Sequence, residues 1–178
     1  GSQVYRAYWK DFLEWGGGDP ATCSFHPYWD NSRFLDVPGQ GTDVLVSFYR
    51  KKSGGIWLIA SNRKAADEVI SITLKPGELG MTGAPAVKQV DSTFDPPPGE
   101  DYRGHGAVAE EARNEMEKSL GGAMEERPGQ SDEDVTALLD GAEAMAERMK
   151  EKWKPRLEGN RLELPVRAKD YRVVALDW

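Results

Sequence analysis

The chain has 178 residues, 39% hydrophobic and 30% charged, with a mean hydropathy of −0.63, which fits a globular chain and not a wholly disordered one. At that length one core buries roughly 70% of the surface that the unfolded chain would expose, no run approaches the about 18 apolar residues of a membrane-spanning helix, and one cysteine with two histidines (Cys23, His26, His105) builds neither an internal disulfide nor a closed zinc site. The net charge of −7 lies entirely between Glu100 and Lys154, where fifteen acids face eight bases, so the rest is balanced at fifteen of each sign; an acidic insert on a neutral body with no basic stripe argues against nucleic acid and membrane surfaces as partners.

Gly1-Ser2 has the form of a cloning scar, and no initiator Met or signal peptide precedes Gln3, which predicts a piece excised from a longer protein. Residues 4–15, VYRAYWKDFLEW, place Tyr5, Tyr8, Trp9, Phe12 and Leu13 at helical spacing. Gly16-Gly17-Gly18 and Asp19-Pro20 then end the helix. So many aromatics on one helix predict that it packs against something, and residues 3–42 are expected to form this helix and a linker.

From Asp43 the period changes to two. DVLVSFYR, IWLIASN, EVISITL and AVKQVD are β-branched and aromatic runs separated by turn-forming stretches, and NRLELPV and DYRVVALDW repeat the pattern at the far end after the Gly159-Asn160 turn signal. In the first run Val44, Val46 and Phe48 share one face and Leu45, Ser47 and Tyr49 the other, so apolar groups on both faces predict a central strand. Pro165 confines its own strand to an edge or a bulge. Six such strands over 43–99 and 156–178 predict a mainly β fold, an antiparallel β-sandwich with an N-terminal helix.

Residues 100–155 form the acidic insert, entered through Asp95-Pro96-Pro97-Pro98-Gly99 and expected to be an α-helical hairpin, so the whole chain is α+β. Its first helix is Ala/Glu-rich and weakened by Gly121-Gly122. The second has Ser131 and three acids at its start, Lys150, Lys152 and Lys154 before Pro155 at its end, and a stripe including Leu138, Leu139, Met145, Met149 and Trp153. That stripe packs within the protein, takes a partner helix or self-associates.

Candidate chemistry is sparse. The segment SFHPYWDN gathers His26, Tyr28, Trp29, Asp30 and Asn31 in eight residues, the mixture of ring faces and hydrogen-bonding groups that holds a sugar; the same aromatics also serve as wedges between helix and sheet. Trp57 is a further ring, with packing in the sheet as its ordinary role. No carboxylate pair stands out for glycoside hydrolysis, because half the acids lie in the insert. Asp91 and Asp95 flank a strand end, where turn capping outranks a calcium site. Cys23 and His26, three apart, do not by themselves make a dyad, GGGDP lacks the spacing of a phosphate loop, and His105 reads as exposed loop. No cofactor, metal or catalytic residue is expected.

The order of segments nevertheless carries a resemblance. An aromatic helix, F-x-PYW-x-N (Phe25 to Asn31), VLVSFYRKKSGGIWLIASN, LKPGELGM, a VD at a strand end and GNRLELPVRAKDYRVVAL together resemble the C-terminal end of proteins similar to glycoside hydrolase family 123, over residues 4–94 and 156–177. The insert departs from that pattern. The resemblance implies a catalytic barrel preceding a small β-sandwich, with Tyr5–Trp15 as a last barrel helix and PYW as the link. The family's catalytic carboxylates belong to the barrel and match no position here. The expectation is therefore a noncatalytic accessory domain whose partner is that preceding barrel, in a secreted or periplasmic parent. Two alternatives are a carbohydrate-binding module, taking a glycan on His26, Tyr28, Trp29, Asn31 and Trp57, and a protein-interaction domain acting through the insert.

Overall fold

The structure, a computed structural model, describes residues 2–89, 144, 148 and 151–178. It divides into two compact units, Gly1–Asp91 with Lys154–Trp178, and Ser92–Trp153. In the second, residues 144, 148 and 151–153 are helical, within the later of the two expected insert helices. The remainder of the expected hairpin, its apolar stripe up to Met149, Asp91, Asp95 and His105 lie outside the described residues. Among the described residues no helix is long and apolar enough to cross a membrane.

The first unit is a β-sandwich. After helix α1 (Ser2–Trp15) come β1 (Cys23–His26), β2 (Leu35–Asp36), β3 (Val44–Lys51), β4 (Ile56–Asn62), β5 (Glu68–Leu74), the short helix α2 (Pro76–Leu79), β6 (Ala86–Gln89), β7 (Arg156–Glu158), β8 (Arg161–Val166) and β9 (Asp170–Asp177). Five strands form one antiparallel sheet in the order β1-β3-β4-β9-β6, and four form the other in the order β2-β5-β8-β7. All six expected strands are present. Strand β3 lies inside its sheet, as apolar residues on both of its faces require, with Phe48 opposite Leu58 on β4 and His26 on β1. Gly159, at φ 61, and Asn160 make the two-residue turn from β7 to β8. Strand β7 covers β8 only over Arg161–Glu163, so among the described residues Pro165 sits where one side of β8 has no neighbouring strand, and the missing N–H interrupts no ladder there.

The core lies between the sheets. Val46 and Phe48 from β3, Leu58 from β4 and Val174 and Leu176 from β9 meet Ile72 and Leu74 from β5 and Leu162 and Leu164 from β8. Each such side chain stabilises the fold by about 1.5–3 kcal/mol through the apolar surface it removes from water.

The outer faces of the two sheets differ. On the four-stranded sheet, Ser71 accepts a hydrogen bond from Arg161 Nε at 3.0 Å, and Arg161 pairs with Glu163 at 3.0 Å, leaving a solvated polar face on which Val69 is the exposed large apolar side chain. On the five-stranded sheet the outer face carries Tyr49, Trp57, Val173 and Ala175, and α1 lies over it. Phe12 fits edge-on against Tyr49 and Trp57, with ring centroids 4.7 and 5.4 Å away. The ring of Phe12 also lies directly over Gly17, where a Cβ would overlap it, so the helix turns off into its loop at a residue that has none. Trp15 closes the contact. Its Nε1 donates to Asp177 Oδ1 (3.0 Å), the same oxygen pairs with Lys51 Nζ (2.8 Å), and that ammonium stands 4.5 Å from the Trp15 ring centroid.

Candidate functional site

The segment from Phe25 to Asn31 leaves β1 and crosses the end of β3. Ladder pairing between the two strands stops at His26 opposite Phe48. One step further, side-chain amides replace the missing strand. Asn31 Nδ2 donates to Val46 O (2.6 Å), and Val46 N donates to Gln40 Oε1 (3.2 Å). Gln40 Nε2 in turn donates to Asn31 Oδ1 (3.0 Å) and to Tyr28 O (2.8 Å), while Tyr28 N donates to Ser47 Oγ (3.0 Å). The main-chain oxygen of Asn31 accepts from Phe34 N (2.8 Å) and Leu35 N (3.1 Å). These bonds hold residues 28–31 against the sheet and satisfy polar groups that would otherwise be orphaned.

The expected sugar-contacting residues separate under this arrangement. Trp29 is 72% exposed, with its ring perpendicular to that of Tyr28 at 4.9 Å between centroids. Tyr28 is half-buried, and Asn31 is buried, both its amide nitrogen and its amide oxygen engaged in holding the loop. Trp57 is 0% exposed under α1, so it offers no ring face to a ligand. His26 is stacked on Phe48 at 4.8 Å and set edge-on to Phe34 at 4.6 Å. Burial, reinforced by the Arg50 charge and opposed by Asp30, holds its imidazole below the ordinary pKa of 6.5.

Strand alternation also decides the nucleophile question. Cys23 and His26 point to opposite faces of β1, and burial pushes the Cys23 thiol up, against the lowering effect of Lys51. The residue that does meet the imidazole is Ser24, whose Oγ lies 2.9 Å from His26 Nε2. Sequence spacing carried the signal, since i and i+2 share a face of a strand. The pair has a nucleophile-to-base distance, but among the described residues no carboxylate hydrogen-bonds the other ring nitrogen to orient it. An imidazole held down by burial and by Arg50 is also a weaker base.

Other surfaces are plainer. Exposed Phe25 rests on Tyr49 (4.8 Å), and exposed Trp9 stands edge-on to Phe12 (5.6 Å), so Trp9, Phe12, Tyr49 and Phe25 form a continuous run of rings along the outer face of the five-stranded sheet. Leu13 and Tyr171 add exposed apolar surface on the same side. A shallow recess on the β7–β8 hairpin is lined by Arg156, Glu158, Arg161 and Glu163, two of each sign and no ring. Among the described residues no three His, Cys, Asp or Glu side chains converge to hold a metal ion. No family model, curated protein or solved structure matches the chain.

Proposed function

We propose that the chain is a noncatalytic accessory β-sandwich of a glycoside-hydrolase-like, carbohydrate-active protein, seated against the catalytic barrel that precedes it. The observation that carries this reading is the inequality of the two outer faces. One is polar and finished; the other is built from aromatic rings and, even with α1 laid over it, leaves Trp9, Leu13, Phe25 and Tyr171 exposed. Scattered exposed apolar residues are ordinary, but several on one side of a small domain mark a surface that another surface covers. The segment order resembles the end of family 123-like proteins, a resemblance that implies a barrel ahead of α1 in sequence, and α1 is the helix that lies on this face. A direct test incubates the chain with a panel of aryl glycosides. No turnover is expected, and turnover abolished by a single carboxylate substitution contradicts the reading.

A second reading is favoured by Trp29 alone. Its ring is exposed while the main chain beneath it is fixed by the Asn31–Gln40 bonds, which is the preorganised platform that a pyranose C–H face packs against. Here the chain binds a glycan directly. Titration with oligosaccharides, followed by tryptophan fluorescence, is expected to give a saturable change that Trp29→Ala removes without altering the unfolding midpoint. Equal affinity in the variant eliminates this platform.

A further inference from the structure

The corner of the sandwich where β1, the 31–34 turn and α2 meet carries an excess of positive charge on side chains that are held in place. Lys75 donates from its main-chain N to Phe34 O (2.9 Å) and from Nζ to Ser32 O (2.6 Å). Arg50 Nη2 donates to Leu79 O (2.9 Å). Arg33 Nε pairs with Glu78 Oε2 (2.5 Å). The guanidinium carbons of Arg33 and Arg50 lie 5.4 and 5.5 Å from the centroid of the Phe34 ring, which positions both. Two of the three cations therefore direct their hydrogen bonds to neutral main-chain carbonyls, and of the three only Arg33 is paired with a carboxylate, that of Glu78. Glu78 registers that field. The Arg33 hydrogen bond and charge hold its carboxyl below the usual range, with Lys75 and Arg50 adding to the effect. Arg50 is the register partner of Ser24, so the exposed Ser24 hydroxyl and the neighbouring His26 imidazole face the same side of the sheet as this guanidinium, with Asp30 the acid nearest that imidazole in effect.

We propose that Arg50, Lys75 and Arg33 bind one oxyanion of the sulfate- or phosphate-ester class, with the Ser24 hydroxyl as a further donor. A guanidinium fork matches such oxygens, and three cations gathered at one corner of an otherwise balanced body fit one anionic substituent rather than a polyanion, which needs an extended row of cations. The site does not depend on the accessory-domain reading. Within the corner Glu78 is the internal competitor for the same cations.

The test is a titration with sodium sulfate at constant ionic strength, read by NMR on the Trp178 indole N–H, which donates to Gly80 O at 3.1 Å beside this corner, and on the His26 ring. A saturable shift is expected. Glu78→Gln, at an exposed side chain, removes the competitor and is expected to tighten binding several-fold, whereas Lys75→Gln weakens it several-fold. A Glu78 with only a structural role gives no tightening. Absence of a saturable shift in both the chain and Glu78→Gln, or the same shift with chloride alone, overturns the proposal. A sulfated disaccharide that binds more tightly than inorganic sulfate identifies the ester as glycan-borne, and equal affinity identifies a free ion; both support the site. Its unsulfated counterpart reports on the Trp29 platform, so the two can fail separately.

Discussion

At the scale of single residues, the loop after β1 shows how one short segment serves two ends. Asn31 faces inward and takes the place of a strand, while Trp29, two residues earlier, faces water. His26 lies between these extremes and makes the fold sensitive to pH. Its imidazole is held below 6.5 by burial and by Arg50, so an unfolded chain takes up the proton first. The contribution of neutral His26 is therefore complete above about pH 6.5 and is lost as pH falls from there toward the lower folded value. Unfolding midpoints in urea are expected to stay level from pH 8 to 7 and to decline below 6.5, with the slope between 6.5 and 5 reduced in His26→Gln. The comparison between the two proteins isolates this group from the carboxylates that titrate lower. Identical slopes in both would show that the imidazole is not buried as described. The sequence brought His26, Tyr28, Trp29 and Asn31 to notice by proximity, but which faced in was set by Gln40 and Val46, nine and fifteen residues beyond Asn31, and no local pattern records that.

At the scale of elements, α1 is the clearest case of sequence deciding placement. Its aromatics needed a surface, and the outer face of β3, β4 and β9 supplies Tyr49, Trp57 and Val173. Phe12 is buried at that contact, whereas its neighbour Leu13 is 58% exposed. Phe12→Ala is expected to cost about 3–5 kcal/mol in urea unfolding, the usual range for emptying an aromatic site, while Leu13→Ala costs about 0.5 kcal/mol or less, as at ordinary surface positions. Equal losses at the two positions would mean that the helix does not dock on its Phe12 side. Five of the six strands that were legible have six to eight residues of alternating or doubly apolar character, as in Val44–Lys51 and Ile56–Asn62, and the sixth, Ala86–Gln89, is the described part of a six-residue β-branched run in the sequence. Those that were not, Cys23–His26, Leu35–Asp36 and Arg156–Glu158, are two to four residues long. They carry no period of their own and become strands only because a neighbour offers unpaired N–H and C=O groups.

At the scale of the whole molecule, the sandwich is assembled from two stretches of chain that are far apart in sequence. Residues up to Gln89 supply β1 to β6, and residues from Arg156 supply β7 to β9. The later stretch is not an appendage, because β9 lies between β4 and β6 and is paired to β4 from Ile56–Leu176 through Asn62–Asp170. In the other sheet β8 pairs with β5 from Glu68–Val166 to Thr73–Arg161. Leu162, Leu164, Val174 and Leu176 then complete a core whose other half comes from β3, β4 and β5. Neither stretch can bury its apolar face without the other, and sheets left with such open edges aggregate. Covalent continuity between Gln89 and Arg156 should therefore matter less to the finished fold than these pairings. A sequence-specific protease site placed after Gly129 provides the test. Once cut, the two fragments are expected to elute together on size exclusion and to keep the far-ultraviolet β spectrum of the intact chain, parting only in denaturant. Refolding after such separation should be slower and concentration-dependent, since loop closure has been replaced by a bimolecular encounter. Fragments that separate in native buffer would show that the β4–β9 and β5–β8 ladders are too weak to hold the sandwich, and that the connection itself sustains it.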